Sequence, residues 1–284
     1  MSFLERIDDC NRWATGDFTP FIVAGERLGM VRREFADALC GLLGTSFARA
    51  DEGLHWTSAP SGFALRTEAM AQLCDTLIAR GLIRYRHGED YPVTAGRREE
   101  ARFLIDRACA PYFGIRAFGQ HINGFVRADD GLRMWIARRA ADRRVYPNRL
   151  DNMVAGGLPW GLSLRENIRK ECAEEAGMPA TLADRAVSVG AISYCRASKR
   201  GLKPDVMYCY DLELPADFEP QCQDGEVAGF ELMPIEQVAE RVRETNAFKL
   251  NCNLVIIDFL VRHGVLTPEH PDYLEIVQRL RSLA

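Results

Sequence analysis

Three carboxylates stand at helical spacing in the segment GGLPWGLSLRENIRKECAEEAGM, residues 156–178: Glu171, Glu174 and Glu175. An α-helix turns about 100° per residue, so relative to Glu171 the other two project near −60° and +40°, within an arc of roughly 100°. Like charges held that close repel. A divalent cation turns the repulsion into attraction. Leu164, Ile168, Cys172 and Ala176 form the apolar stripe of the same helix, between about +20° and +140° on that scale. Glu171 and Glu175 therefore lie at the edge of the stripe and inside it. They point towards the body of the protein, where an unpaired charge is costly, whereas a solvated acidic face would lie opposite.

The elements that must position these groups are well marked. Ser163 and Glu166 form an S-x-x-E capping box at the helix start, and Glu166 with Lys170 is an i,i+4 ion pair. Gly177 suits a left-handed position after the last turn, and Pro179 blocks continuation. Ahead of the helix, Gly156-Gly157-Leu158-Pro159-Trp160-Gly161 reads as a loop whose glycines let backbone approach a ligand. The unit is strand, Gly-rich loop, acidic helix, Gly stop.

This loop and helix resemble the Nudix box, G-x5-E-x7-R-E-U-x-E-E-x-G-U with U apolar. Gly156, Glu171, Cys172, Glu174, Glu175, Gly177 and Met178 match it, while Leu162 replaces the first Glu and Lys170 the Arg. Lys keeps the charge but loses the bidentate fork. The segments GIRAFGQHINGFV, MWIARRAADRRVYPNRLDNMVAGGLPWG, KPDVMYCYDLELP, QDGEVAGFELMPIEQVAE and NCNLVIIDFLVRHG extend the likeness over most of the chain. They resemble the thiamine-pyrophosphokinase-related Nudix proteins, which carry an N-terminal domain of poorly defined role ahead of the Nudix domain. The resemblance implies Mg²⁺-dependent hydrolysis of thiamine diphosphate analogues, notably the damaged oxo- and oxy- forms, to the monophosphate and phosphate. It implies no kinase activity, because the fused kinase of some fungal relatives has no counterpart here.

On that reading Glu171, Glu174 and Glu175 hold Mg²⁺, with Mn²⁺ as the alternative ion, and one of them or a loop acid orients the attacking water. The candidate loop acid is Glu226, in Gln223-Asp224-Gly225-Glu226, a setting that an ordinary turn acid would also occupy. Further candidates for substrate contact are Gly156 and Gly157 in the loop, and His121 and Asn123, which share one strand face and either line a base pocket or satisfy each other. Arg138 and Arg139 are candidates for phosphate. Tyr146 and Trp160 could stack on a pyrimidine or thiazolium ring or serve only in packing. Asp151-Asn152 precede the box and are placed to orient it.

The 284 residues are 47% hydrophobic with a net charge of −4, enough for a sizeable core and no electrostatic case for nucleic acid. The longest strongly apolar run, Leu254 to Val261, is interrupted by Asp258 and too short to span a bilayer. MSFLERIDDC has early acids and no apolar core, so it does not read as a secretory signal, and a cytoplasmic protein is the expectation. The nine cysteines are scattered, odd in number and without C-x-x-C spacing, which gives neither a disulfide framework nor a zinc site. His55 and His87 have no clustered partners and read as packing or surface residues.

The expected fold is α/β: a Nudix-type mixed sheet between helices over residues 116–284, preceded by a smaller α+β domain over residues 1–115. In the first part, Phe3–Trp13, Arg32–Leu43 and Thr67–Arg80 read as helices, Phe18–Val31 as a hairpin turning near Gly25-Glu26, and Phe47–Thr57 as a strand. In the second, Gly119–Arg127 and Leu132–Arg139 are strands joined by Asp129-Asp130-Gly131. Strands follow at Ala186–Cys195, Val206–Leu214 and Gly229–Met233, and helices at Ile235–Glu244, Asn253–His263 and Tyr273–Leu283. Three other functions share parts of this pattern: a Nudix hydrolase of nucleoside diphosphate derivatives or ADP-ribose, an isoprenoid diphosphate isomerase, which needs a cysteine placement not found here, and a ligand sensor that binds without turnover.

Overall fold

Ala24 and Gly25 both take positive φ, 52° and 80°, and make the tight reversal between strands β1 (Phe18–Val23) and β2 (Glu26–Arg32). The computed structural model describes residues 2–282, so the expected helix end at Leu283 lies outside the described residues. Before the hairpin comes helix α1 (Phe3–Cys10), and after it α2 (Arg33–Leu42). The single strand expected over Phe47–Thr57 is a hairpin instead, β3 (Phe47–Ala50) and β4 (Gly53–Trp56). Gly53 allows it: its φ is +153°, and a side chain there would meet the Pro20 carbonyl oxygen at 2.5 Å. The four strands pair in the order β2-β1-β4-β3, with β1 and β4 parallel. Helix α3 (Phe63–Ala79) and a two-stranded ribbon, β5 (Asp90–Val93) with β6 (Phe103–Asp106), complete this N-terminal unit around Phe21, Leu54, Trp56, Met70, Leu77 and Phe103.

The C-terminal unit is built on a mixed sheet. Its strands are β7 (Phe118–Ala128), β8 (Gly131–Arg139), β9 (Leu150–Asn152), β10 (Val154–Gly157), β11 (Val187–Ser198), β12 (Gly201–Glu213) and β13 (Val227–Pro234). The main order is β11-β12-β7-β8-β13, with β10 on β7 and β9 on β8, and β12 runs parallel to β7. Helix α4 (Leu164–Ala176) and the short α5 (Ala180–Ala183) cover one face, where Ile168, Cys172 and Ala176 meet Ile122, Val154 and Leu212. The other face carries α6 (Ile235–Glu244), α7 (Leu250–Arg262) and α8 (Tyr273–Arg281), around Phe125, Met207 and Phe259. Buried Phe3, Ile7 and Cys10 of α1 join that second core, so the chain's first helix packs on the unit that follows residue 115. Among the described residues no helix is long and apolar enough to cross a membrane.

Candidate active site

Helix α4 carries its acids where the projection puts them. The capping box forms in both directions, and Gly177 closes the helix in the left-handed conformation. Glu171 and Glu175 are 8% and 7% exposed, while Glu174 is more open. Leu164 departs from the projected stripe: it is exposed, at the first position of the helix, and Asn167 takes the buried place, donating to Gln120 and to the Gly157 carbonyl. Strand β10 continues through Gly156 and Gly157, which pair with Gln120 and Gly119, so these two glycines are strand rather than loop. Gly156 has no room for a side chain, since a methyl would come within 2.1 Å of the Glu171 carboxyl carbon. The bare backbone lets that carboxylate lie against the strand.

The carboxylates are electrostatically unfavourable as a group. Burial, then the charge of Glu171, pushes the Glu175 carboxyl up to about 8, although the Ala155 amide donates to it at 2.9 Å. Glu171 is also raised by burial, against the pull of Lys170. The Lys170 ammonium lies 3.2 Å from Glu171 and 3.0 Å from Glu174, a positive charge lodged between the two. Crowded hard oxygen donors, already bridged by one cation, fit a hard divalent ion such as Mg²⁺ or Mn²⁺.

A second buried cluster lies behind them. Asp151 is met by Lys249 at 2.9 Å, Arg139 at 3.0 Å and the Cys252 thiol at 2.6 Å. His121 accepts from Asn251 at Nε2 and therefore donates from Nδ1 to Asn152, a pairing that fixes the neutral ring; burial and Lys249 bring its pKa down to about 4. His121, Asp151 and Cys252 place potential ligand atoms within 4.8 Å of one another. That donor set suits an ion poorly, because two cations already neutralise Asp151 and burial pushes the thiol far above its usual range.

A cavity of about 630 Å³ gathers the predicted residues Glu171, Glu174, Glu175, Glu226, Gly156, Gly157, His121, Arg139 and Tyr146 in its lining. Glu226 lies 2.5 Å from Arg143, and its amide caps Asp224 in the turn. The Tyr146 hydroxyl accepts from Arg196. Three candidates lie elsewhere. Arg138 and Arg139 are neighbours on a strand and project to opposite faces, so Arg139 turns to Asp151 while Arg138 reaches the Asn148 carbonyl. Asn123 is fully buried between Asn152 and Asp211. Trp160 packs on Phe63 under Arg98, its amide donating to Asp90 of the N-terminal unit.

Several lining residues had no signal in the sequence. Lys249 follows a turn at the start of α7, Tyr194 and Asp205 come from β11 and β12, and Arg107 comes from the N-terminal unit. Only tertiary pairing brings them together. Arginines and lysines line the same cavity as the glutamates, a composition suited to a polyanion bridged by a metal ion.

Comparison with known proteins finds a family match in each part of the chain. A family model described as "NUDIX domain" matches residues 119–251, and one described as "Domain of unknown function (DUF4743)" matches residues 2–117. The chain is 44% identical to "Nudix hydrolase 24, chloroplastic" of Arabidopsis thaliana, over 99% of its own length and 78% of that protein. It is 42% identical to "Nudix hydrolase 20, chloroplastic" of the same plant, with the same coverage. Among solved structures, the NUDIX domain of Shewanella oneidensis NrtR complexed with ADP ribose aligns at a TM-score of 0.40 and 15% identity, covering 52% of this chain and 91% of that one. The match over almost the whole chain to two such relatives places this protein in the Nudix hydrolase family, as a hydrolase acting on diphosphates.

Proposed function

We propose that this protein is a Mg²⁺-dependent pyrophosphatase of thiamine diphosphate analogues, the oxo- and oxy- forms before thiamine diphosphate itself, and that it removes damaged cofactor in the cytoplasm. Residues 116–284 would be the catalytic domain and residues 1–115 an accessory domain. The observation that carries the substrate class is the lining of the cavity. Half-buried Tyr85 and Tyr146 share it with the glutamate cluster, and buried Tyr91 and Tyr194 back its wall. Aromatic rings at the wall suit a flat heteroaromatic ring, and the surrounding arginines and lysines suit its diphosphate tail.

Glu171, Glu174 and Glu175 would hold the ion. When bound, the ion neutralises phosphate charge and acidifies a nearby water. Glu226 is the candidate to orient that water and take its proton, which requires it to loosen from Arg143. The water oxygen bonds to the terminal phosphorus as the bridging P–O bond breaks, giving phosphate and the monophosphate. Arg143, Arg144 and Lys249 line the path of the tail and balance its charge.

The test is phosphate release from thiamine diphosphate, its oxo and oxy analogues, ADP-ribose and 8-oxo-dGTP, each with and without Mg²⁺. The expected result is metal-dependent turnover concentrated on the thiamine analogues. Turnover confined to the nucleotides would discard this substrate class and leave the hydrolase.

A further inference from the structure

The proposed diphosphate chemistry takes only ring contacts, Tyr85 and Tyr91, from the N-terminal unit, yet that unit also sends an arginine into the same cavity. Its Arg107, just after β6, lines the cavity together with Glu171, Glu174 and Glu175. The contact depends on Gly157, where a methyl group would meet the Tyr91 hydroxyl at 2.1 Å and the Arg107 guanidinium carbon at 2.9 Å. Gly156 is bare for Glu171, and Gly157 is bare for Arg107. The two glycines thin the end of β10, so that a carboxylate from one side and a guanidinium from the other reach one cavity.

Arg107 is held in place but not used up. Its Nη1 donates to Glu89 at 2.6 Å, and its guanidinium carbon lies 5.7 Å from the centre of the Tyr91 ring. Among the described residues its Nε and Nη2 have no hydrogen-bond partner. The unit that carries it is fastened to the Gly-rich loop: Arg98 donates to the carbonyls of Pro159 and Leu162, and the Trp160 amide donates to the Asp90 carbonyl. Leu162 stands where the box calls for Glu, and here the loop is gripped through its backbone by the other unit.

We infer that the N-terminal unit completes the active site, and that Arg107 is a substrate-binding residue which takes a phosphate oxygen of the diphosphate. A guanidinium fork fixed at one nitrogen and open at the others presents two parallel donors to such a group. The inference rests on the diphosphatase reading above. The rival role for Arg107 is internal, tying Glu89 to Tyr91.

The experiment uses the full-length protein, with Arg107→Ala and Arg107→Lys, and two readouts. One is calorimetric binding of inorganic pyrophosphate. The other is KM and kcat on whichever diphosphate the wild type hydrolyses. Arg107→Ala is expected to weaken both pyrophosphate affinity and KM by about tenfold or more, with kcat changed less. Arg107→Lys should recover part of the loss, since the charge returns without the fork. Pyrophosphate affinity and KM of Arg107→Ala within twofold of wild type would overturn the inference. If the alanine variant does not fold, the lysine variant decides: binding equal to wild type overturns the inference and a threefold or greater loss supports it. A wild type that binds pyrophosphate but hydrolyses nothing would discard the diphosphatase reading, and the binding comparison would still decide the role of Arg107.

Discussion

Glu175→Gln is expected to lower turnover by roughly 10²- to 10⁴-fold and, in the metal-free protein, to raise stability at alkaline pH. The carboxyl is buried against Glu171 and its pKa is lifted to about 8. The sign follows from linkage. Below the ordinary carboxylate range the group is protonated in both folded and unfolded chains and contributes no penalty. As pH rises from about 4.5 towards 8, the unfolded chain releases the proton and the folded one keeps it, so stability falls with pH. Above that range the penalty is constant, on the order of a few kcal/mol. Glutamine carries no such charge. Denaturant titrations of metal-free protein between pH 5 and 9 should show a falling curve for wild type and a flatter one for Glu175→Gln. Parallel curves would mean that the carboxylate is not strained in the fold. A residue whose loss stabilises the protein and stops the reaction is one kept for chemistry.

Asp151→Ala is expected to have the largest effect on folding. Asp151 is 4% exposed and meets Arg139, Lys249, the Cys252 thiol and the Asn152 amide. Burial opposes its charge, but Lys249, His121 and Arg139 outweigh burial and hold the carboxyl below its ordinary range. Removing it leaves two cations facing each other with no counter-ion, a loss of about 3–5 kcal/mol. Asp151→Asn keeps an acceptor and should lose less. Chemical denaturation at neutral pH checks both. A loss below about 1 kcal/mol for the alanine variant would show that Arg139 and Lys249 relax outward into the cavity and find water there. Because Lys249 lines the cavity, turnover by any Asp151 variant that remains folded should fall too.

How much of this was legible in the sequence depends on the range of each interaction. The acidic helix was legible in its ends and its glutamates, because capping, periodicity and the Gly stop are local, and its ends match the capping residues Ser163 and Gly177; its first turn was not, since Asn167 rather than Leu164 is buried. The hairpin at Asp129-Asp130 and the helix over Ile235–Glu244 were legible for the same reason. The β3–β4 reversal is carried by the short run Asp51-Glu52-Gly53, whose flanks both favour strand, so the segment reads as one strand. At the site, the three glutamates could be projected onto one helix face. Trp160 could not be placed: its sequence neighbours are loop glycines, but its actual neighbours, Phe63 and Arg98, lie far off in the chain. The choice between Arg138 and Arg139 turned on strand phase, which a pair of identical neighbours does not reveal. Arg107, Tyr194 and Asp205 entered the cavity through pairing between distant strands and units, for which a single sequence carries no local mark.

A metal site on the buried carboxylates of α4 underlies the proposed reaction. Its most direct test is Mn²⁺ binding to the full-length protein by electron paramagnetic resonance, with wild type beside Glu171→Gln and Glu175→Gln. Affinity in the wild type that drops at least about tenfold in both variants is the predicted result. Equal Mn²⁺ affinity in all three proteins would contradict it, and with it the catalytic role given to this helix.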